Sequence, residues 1–479
     1  MQRGKRSTLP QDQDPGAEPD GAAAGLFRAS EAAAAAETFA AAASAGKNKS
    51  VKIDRGSDFL KRADNGENPS PGYDGDLDTL AAFLTDGFHE YYDEERRSFD
   101  IGASGVITVQ VAGISKAAKA LTLQALKVWM DATGLEFKIV KKNADILISD
   151  DNAAAYTNVT VKGNTITSAF VNIADEWILE VNHGSGFYDY SMLTFIHEIG
   201  HALGLGHAGA YGGQTGGTYD PEENFPNDSW QATVMSYFSQ SKNPNVDADY
   251  ALPITPMMAD ILAMRDLYDI GALRTGNNVY SFQADFKAKT ARTIVDNGGI
   301  DRLDFSWSRK VNVIDLHEEA YSSIHGVKGN LAIARGTVIE AAVGGTKGDM
   351  IIGNDYANAL YGNLGADTLT GNGGEDYFVF DTRPKAANAD TITDFTVGED
   401  HLAFNNAVFT RIGRDGVLAD KAFTANDTGL AADKSDRIVY NSTTGEVFYD
   451  ADGSKSGASK LVAILDPGLA LTASDIFVL

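Results

Sequence analysis

The chain has 479 residues, no cysteine and a formal net charge of -26 at neutral pH. That length accommodates two or three domains with cores of their own, and the charge argues against a nucleic-acid partner, which calls for clustered Lys and Arg. The lack of cysteine excludes disulfides, thiolate zinc ligands and cysteine-based latency. No run approaches the ~18 consecutive apolar residues of a membrane-spanning helix, so a protein without a membrane span is expected. The acidic excess serves either solubility or calcium, and only the placement of the acids separates the two.

Residues 1–75 are polar or low in complexity and read as a disordered tail or prosegment. Their start lacks the apolar core of a cleavable signal, and residues 31–45 suit at most a marginal Ala-rich helix. From Leu77 the texture changes. Leu77, Leu80, Ala81 and Leu84 recur at helical spacing. The run 106–111 (VITVQV) alternates as a strand does, and Ser115 caps a helix that Gly134 ends. Short strands are expected at 135–140, 144–149 and around 169–173. Thr255 and Pro256 open a further helix through about Tyr268, with proline at its first position. This series predicts an α/β domain over 76–280, a twisted mixed sheet with long helices. Beyond about residue 280 the helical pattern stops, and 281–479 reads as an all-β domain.

Three of the eight histidines fall within residues 197–207, HEIGHALGLGH. Positions i and i+4 share a helix face, so His197 and His201 can grip one ion, with Glu198 close enough to reach a metal-bound water. Gly204 permits the left-handed turn that ends the helix and returns His207 as a third nitrogen ligand. Zinc on three neutral imidazoles keeps a fourth position for water. HExxH alone recurs by chance, whereas the added glycine and third histidine make the pattern specific.

Residues 344–379 repeat with a period of nine: GGTKGDMII, GNDYANALY, GNLGADTLT, GNGGEDYFV. The pattern G-G-x-G-x-D-x-U-x, with U apolar, marks a calcium-binding parallel β-roll. Among the repeat glycines, Gly344, Gly345, Gly362, Gly365, Gly371, Gly373 and Gly374 are the candidates for the calcium-binding turns. The sixth position reads Asp349, Asn358, Asp367 and Asp376, and the inward eighth position Ile351, Leu360, Leu369 and Phe378. Turns two repeats apart should share an ion, pairing Asp349 with Asp367 and Asn358 with Asp376. Lys347 and Tyr356 replace glycine at the fourth position, and Asn358 should weaken its turn.

Residues 197–207 together with 234–237 (VMSY) resemble the metzincin metalloproteases, whose HExxHxxGxxH precedes a methionine-containing turn. With the repeats, the resemblance is to the serralysin family and runs from about residue 77 to the last residues. It implies a metzincin-like catalytic domain followed by the β-roll domain. It further implies one catalytic zinc on His197, His201 and His207, Glu198 as general base, and Met235 as an apolar floor. Tyr237 would offer a phenol to zinc and then hydrogen-bond the tetrahedral intermediate, or else be a packed aromatic. Several structural calcium ions are implied, and the stretch 293–306 makes Asp296, Gly298, Asp301 and Asp304 candidate ligands, unless they are ordinary turn residues. Ala208 stands where several serralysins carry proline, which leaves ligation intact.

The final DIFVL resembles the uncleaved signal read by type I ABC exporters, although Ile476–Leu479 also fits a closing strand. The expectation is therefore a secreted, extracellular, monomeric zinc metalloendopeptidase acting on protein or peptide substrates. Its partners would be a type I ABC exporter and, as the family allows, a proteinaceous inhibitor. The competing readings are a non-catalytic calcium-binding surface or adhesion protein, and a zinc esterase or amidase.

Overall fold

The computed structural model describes residues 76–178, 187–211, 219–220, 224–455 and 457–479. The expected tail, its Ala-rich stretch and part of the segment between His207 and Met235 lie outside the described residues.

The first helix begins where the Asp76 carboxylate accepts from Thr79 N at 2.6 Å. It runs Leu77–Ala82, loosens into a π turn over Phe83–Gly87 and ends at Phe88–Tyr91. Leu80 and Leu84 are fully buried, as their spacing predicts. The second helix, Lys116–Thr133, has the expected caps: Ala118 N donates to Ser115 Oγ at 3.1 Å, and Gly134 leaves at φ 72°. Its buried face carries Leu121, Ala125, Leu126 and Trp129.

Five parallel strands lie in the order Ser98–Phe99, Thr165–Ile173, Ile146–Ser149, Val106–Gln110 and Glu136–Val140. An antiparallel strand, Ala155–Lys162, pairs with Thr165–Ile173 and makes the sheet mixed. The reading from sequence omitted this strand. Its side chains are mostly half-exposed or exposed on both faces, so the burial alternation that marks a strand is absent.

The helix expected from Thr255-Pro256 spans Met258–Tyr268 instead, with Met257 as its cap. Pro256 therefore precedes the cap and is not the first helical residue. The start is set by Asp260, whose carboxylate accepts from Met257 N at 2.7 Å and fixes the first turn from inside. A five-residue helix, Gln283–Lys287, also interrupts the otherwise β-rich second half.

The nine-residue repeats place alternate strands in two sheets. Ala341–Val343, Ala359–Tyr361 and Tyr377–Phe380 stack in parallel in one, and Met350–Ile352, Thr368–Thr370 and Asp390–Ile392 in the other. The registers Ala342↔Leu360↔Phe378 and Ile351↔Leu369↔Ile392 bring every eighth-position residue inward, and all are buried. The segment Ile476–Val478 is a strand parallel to His401–Phe404. The last residues therefore form the closing strand that their sequence fits.

Two large hydrophobic clusters result, one around the first sheet and its helices, the other between the sheets of the second half, with a small third cluster of Ala132, Ile261, Val295 and Ala334. The two large clusters are joined by chain pairing as well as by side chains. The second half's 12-stranded sheet ends on Leu252–Pro253, a strand following shortly after residues 234–237. Arg335 grips Asp78 of the first helix with two nitrogens at 2.6 and 3.1 Å, and Gln231 Nε2 donates to Gly329 O at 3.1 Å.

Candidate zinc centre and aspartate ladder

The helix Tyr190–Ala202 carries His197, Glu198 and His201. It stops at Leu203, and Gly204 turns at φ +109° with no room for a side chain, since a Cβ would stand 2.1 Å from Arg97 O. Gly206 lies under the Phe88 ring, where a Cβ would approach to 2.3 Å. The chain therefore folds back tightly enough to present His207 to the helix.

The three histidines form the metal-ligand group found among the described residues. His201 Nε2 lies 3.1 Å from His197 Nε2 and 3.0 Å from His207 Nε2. The Nδ1 atoms of His197 and His201 face the carbonyls of Val234 and Leu205, each at 2.8 Å. A carbonyl only accepts, so both Nδ1 atoms hold the proton, and two bare Nε2 lone pairs confront each other at 3.1 Å. Such an arrangement is repulsive without a cation between the nitrogens. A tetrahedral zinc about 2.05 Å from each nitrogen spaces its ligands by about 3.3 Å, so the donor set fits zinc. His207 Nδ1, by contrast, is buried without a hydrogen-bond partner. Burial pushes His197 down to about 4 and His207 to about 3, and holds His201 well below its ordinary value. All three are thus neutral at physiological pH, the form that binding a metal requires.

Glu198 is 6% exposed, and burial raises its carboxyl to about 7 against the opposing Thr157 hydrogen bond. Thr157 Oγ1 lies 2.7 Å from Glu198 Oε2, which holds the carboxylate toward the antiparallel strand. A carboxyl poised near neutrality can both take and return a proton. Met235 is fully buried, its sulfur against Gly200, where a Cβ would stand 2.7 Å from Sδ. The Tyr237 ring lies 4.6 Å from His207 and 5.9 Å from His197 between centroids.

The repeat aspartates form a ladder. Asp349 N donates to Asp367 Oδ1 at 2.7 Å, and Asn358 N to Asp376 Oδ1 at 2.8 Å, so turns two repeats apart are hydrogen-bonded neighbours. The ladder continues into Asp390 and Asp400, which accept from Asp367 N and Asp376 N at 3.1 Å. The second oxygens of Asp367 and Asp376 are buried without a hydrogen-bond partner. Burial pushes Asp376 up to about 8, and burial with mutual repulsion raises Asp367 and Asp390 together. Each inward apolar residue contributes about 1.5–3 kcal/mol, and each uncompensated buried carboxylate costs several kcal/mol. Burial thus disfavours the charged form of these turns, a cost that protonation or a cation at the unpartnered oxygens would relieve. Gly362 and Gly371 make room for these oxygens, since a Cβ would come within 2.5 and 2.3 Å of them.

Residues 271–476 match the family model described as peptidase M10 serralysin C terminal, and residues 141–255 match the reprolysin-like metallopeptidase family M12B. Serralysin C of Dickeya chrysanthemi is 37% identical over 181 residues, covering 35% of this chain and 37% of that protein. Serralysin B of the same organism is 34% identical over 254 residues, covering 48% and 51%. Metalloprotease AprA of Pseudomonas entomophila is 30% identical over 325 residues, covering 63% and 64%. The second half of the chain is thus similar to the serralysin C-terminal family and the first half to reprolysin-like metallopeptidases, and together these matches support a serralysin-type zinc metalloprotease. These serralysin alignments span at most 64% of the relatives' own lengths. Among solved structures, the hatching enzyme zinc-protease HCE-1 of Oryzias latipes covers 36% of this chain at 15% identity with a TM-score of 0.23, too low to carry an argument.

The candidates at 293–306 separate. Asp296 and Asp301 are fully buried and repel each other, and Asp301 Oδ2 has no hydrogen-bond partner. Asp304 instead accepts from Ser306 N at 3.1 Å and lies 3.5 Å from Arg302. Gly298 N donates to Asp296 Oδ1 at 3.2 Å. Glu340 joins Asp296 and Asp301, its carboxyl raised to about 7 by burial. Sequence reasoning missed Glu340, Thr157, Asp390 and Asp400. Only the last two left a signal, as acidic fifth and sixth rungs of the ladder after a longer loop.

Proposed function

We propose that the chain is a calcium-stabilised zinc metalloendopeptidase that hydrolyses peptide bonds in proteins. The observation that carries this reading is the pair of bare imidazole nitrogens at 3.1 Å beside a buried carboxyl raised to about 7. His197, His201 and His207 would hold the zinc, which when bound acidifies its water and polarises the substrate carbonyl. Glu198 takes the proton from the attacking water and passes it to the leaving amine. Tyr237, beside His207, is the residue suited to hydrogen-bond the substrate oxygen as charge develops there.

The division into a catalytic domain at 76–280 and a β-roll domain at 281–479 belongs to the same proposal, with 1–75 as tail or prosegment. Asp349, Asn358, Asp367, Asp376, Asp296, Gly298 and Asp301, with the repeat glycines Gly344, Gly345, Gly362, Gly365, Gly371, Gly373 and Gly374, are the proposed calcium site. Asp304 is its weakest member, being engaged with Arg302. Cytosolic calcium is too low to bridge the ladder and extracellular calcium is sufficient, which accords with export by a type I ABC exporter and folding outside the cell. No helix among the described residues is long and apolar enough to cross a membrane. The complete histidine set and Glu198 disfavour a non-catalytic adhesion protein.

The test is Glu198→Ala, assayed by zinc analysis and casein hydrolysis. The variant is expected to keep its zinc and lose cleavage; residual proteolysis at the wild-type level would sink the mechanism.

A further inference from the structure

Beside the zinc ligands runs a hydrogen-bonded chain whose donors all point one way. His197 Nδ1 donates to Val234 O at 2.8 Å. The amide of the same peptide unit, Met235 N, donates to Thr233 Oγ1 at 2.9 Å. The Thr233 hydroxyl donates to Asp260 Oδ1 at 2.5 Å. Thr233 and Asp260 are fully buried. The other oxygen, Asp260 Oδ2, accepts from Val234 N at 2.9 Å and Met257 N at 2.7 Å, which fixes the carboxylate in place.

We infer that Thr233 and Asp260 position the zinc ligand His197 through the 234–235 peptide. This rests on the metallopeptidase reading above. Metal-bound imidazoles commonly donate their second N–H to a carboxylate, which sets the tautomer and strengthens the donor nitrogen. Here the carboxylate is one peptide and one hydroxyl removed. Each link polarises the next because all three donors face the same charge, and the low dielectric of the core preserves the effect. The peptide unit is also held rigidly, because Asp260 ties both residues that precede Met235 to the first turn of helix Met258–Tyr268. Thr233 and Asp260 touch neither substrate nor metal, so theirs is a positioning role.

The test compares Thr233→Val with Thr233→Ser in the full chain at saturating calcium. Valine keeps the shape and removes the hydroxyl, whereas serine removes the methyl and keeps the hydroxyl. The zinc dissociation constant is measured by competition with a chromogenic chelator, and the visible spectrum of the cobalt-substituted protein reports ligand geometry. Thr233→Val is expected to bind zinc about 10-fold more weakly with an altered cobalt spectrum, and Thr233→Ser to match wild type. A packing role alone predicts the reverse ranking, and that result, or wild-type affinity in folded Thr233→Val, would overturn the inference. Thr233→Ala removes the same hydroxyl without adding bulk and replaces valine if that variant does not fold. A wild-type chain that binds no zinc at all would overturn the metallopeptidase reading and this inference with it, whereas an unchanged Thr233→Val overturns only the relay.

Discussion

Gly204 and Gly206 decide whether His207 arrives beside His197 and His201. Between them the chain leaves the helix, passes Arg97 O and slides beneath Phe88, whose ring then meets His207 edge-on at 5.3 Å. A methyl at Gly204 meets main chain at 2.1 Å, and backbone cannot swing aside as a flexible side chain can. The left-handed φ adds its own penalty for any residue with a Cβ. Gly204→Ala should therefore lose roughly 2–4 kcal/mol of stability and weaken zinc binding together. Thermal denaturation and zinc analysis on one preparation check this, and a variant with wild-type values for both would contradict it. Glu198 shows the complementary case, in which a residue is placed by the helix but tuned by a neighbour. Its spacing from His197 is written in the sequence, whereas Thr157 stands 41 residues away and reaches it only through the strand packed on the helix.

At the scale of elements, the helices and repeats were legible because their periods are local. Ser115 and Gly134 bracket Lys116–Thr133 through interactions within a few residues, and the nine-residue period predicts which turns pair. What escaped was set across distance. Strand Ala155–Lys162 owes its place to Thr165–Ile173 and shows no burial alternation, and the start of Met258–Tyr268 is fixed by the Asp260 side chain and not by Pro256. Asp390 and Asp400 sit 23 and 24 residues beyond their partners, whereas Asp367 sits 18 beyond Asp349, so a strict template passes over them. The ladder carries a prediction of its own. Asp376→Asn keeps the hydrogen bond to Asn358 N but removes a charge from a site that already contains one asparagine. The calcium midpoint for folding, followed by circular dichroism, should rise roughly 10-fold, since affinity depends on ligand charge count. An unchanged midpoint would show that Asp376 is not a calcium ligand.

For the whole molecule, the two hydrophobic cores share one sheet. The twelve-stranded sheet that begins at Phe423–Asn426 ends at Leu252–Pro253, a strand of the first half. Arg335 and Gly329 add side-chain and main-chain ties between the same two halves. Contacts of that kind make the cores unfold as one. In saturating calcium, calorimetry should record a single endotherm, with chelation lowering its temperature and reducing zinc retention in parallel. Two separate endotherms, or loss of calcium without effect on zinc, would show the halves to be independent.

Because successive repeats feed opposite sheets, the length of the roll is quantised. One extra nine-residue unit would send every later strand to the wrong sheet and turn the closing strand Ile476–Val478 away from His401–Phe404. Two extra units restore the parity and lengthen each sheet by one strand. Insertions and deletions here are tolerable only in pairs, so relatives of different length, and any roll extended by design, should differ by whole multiples of two repeats.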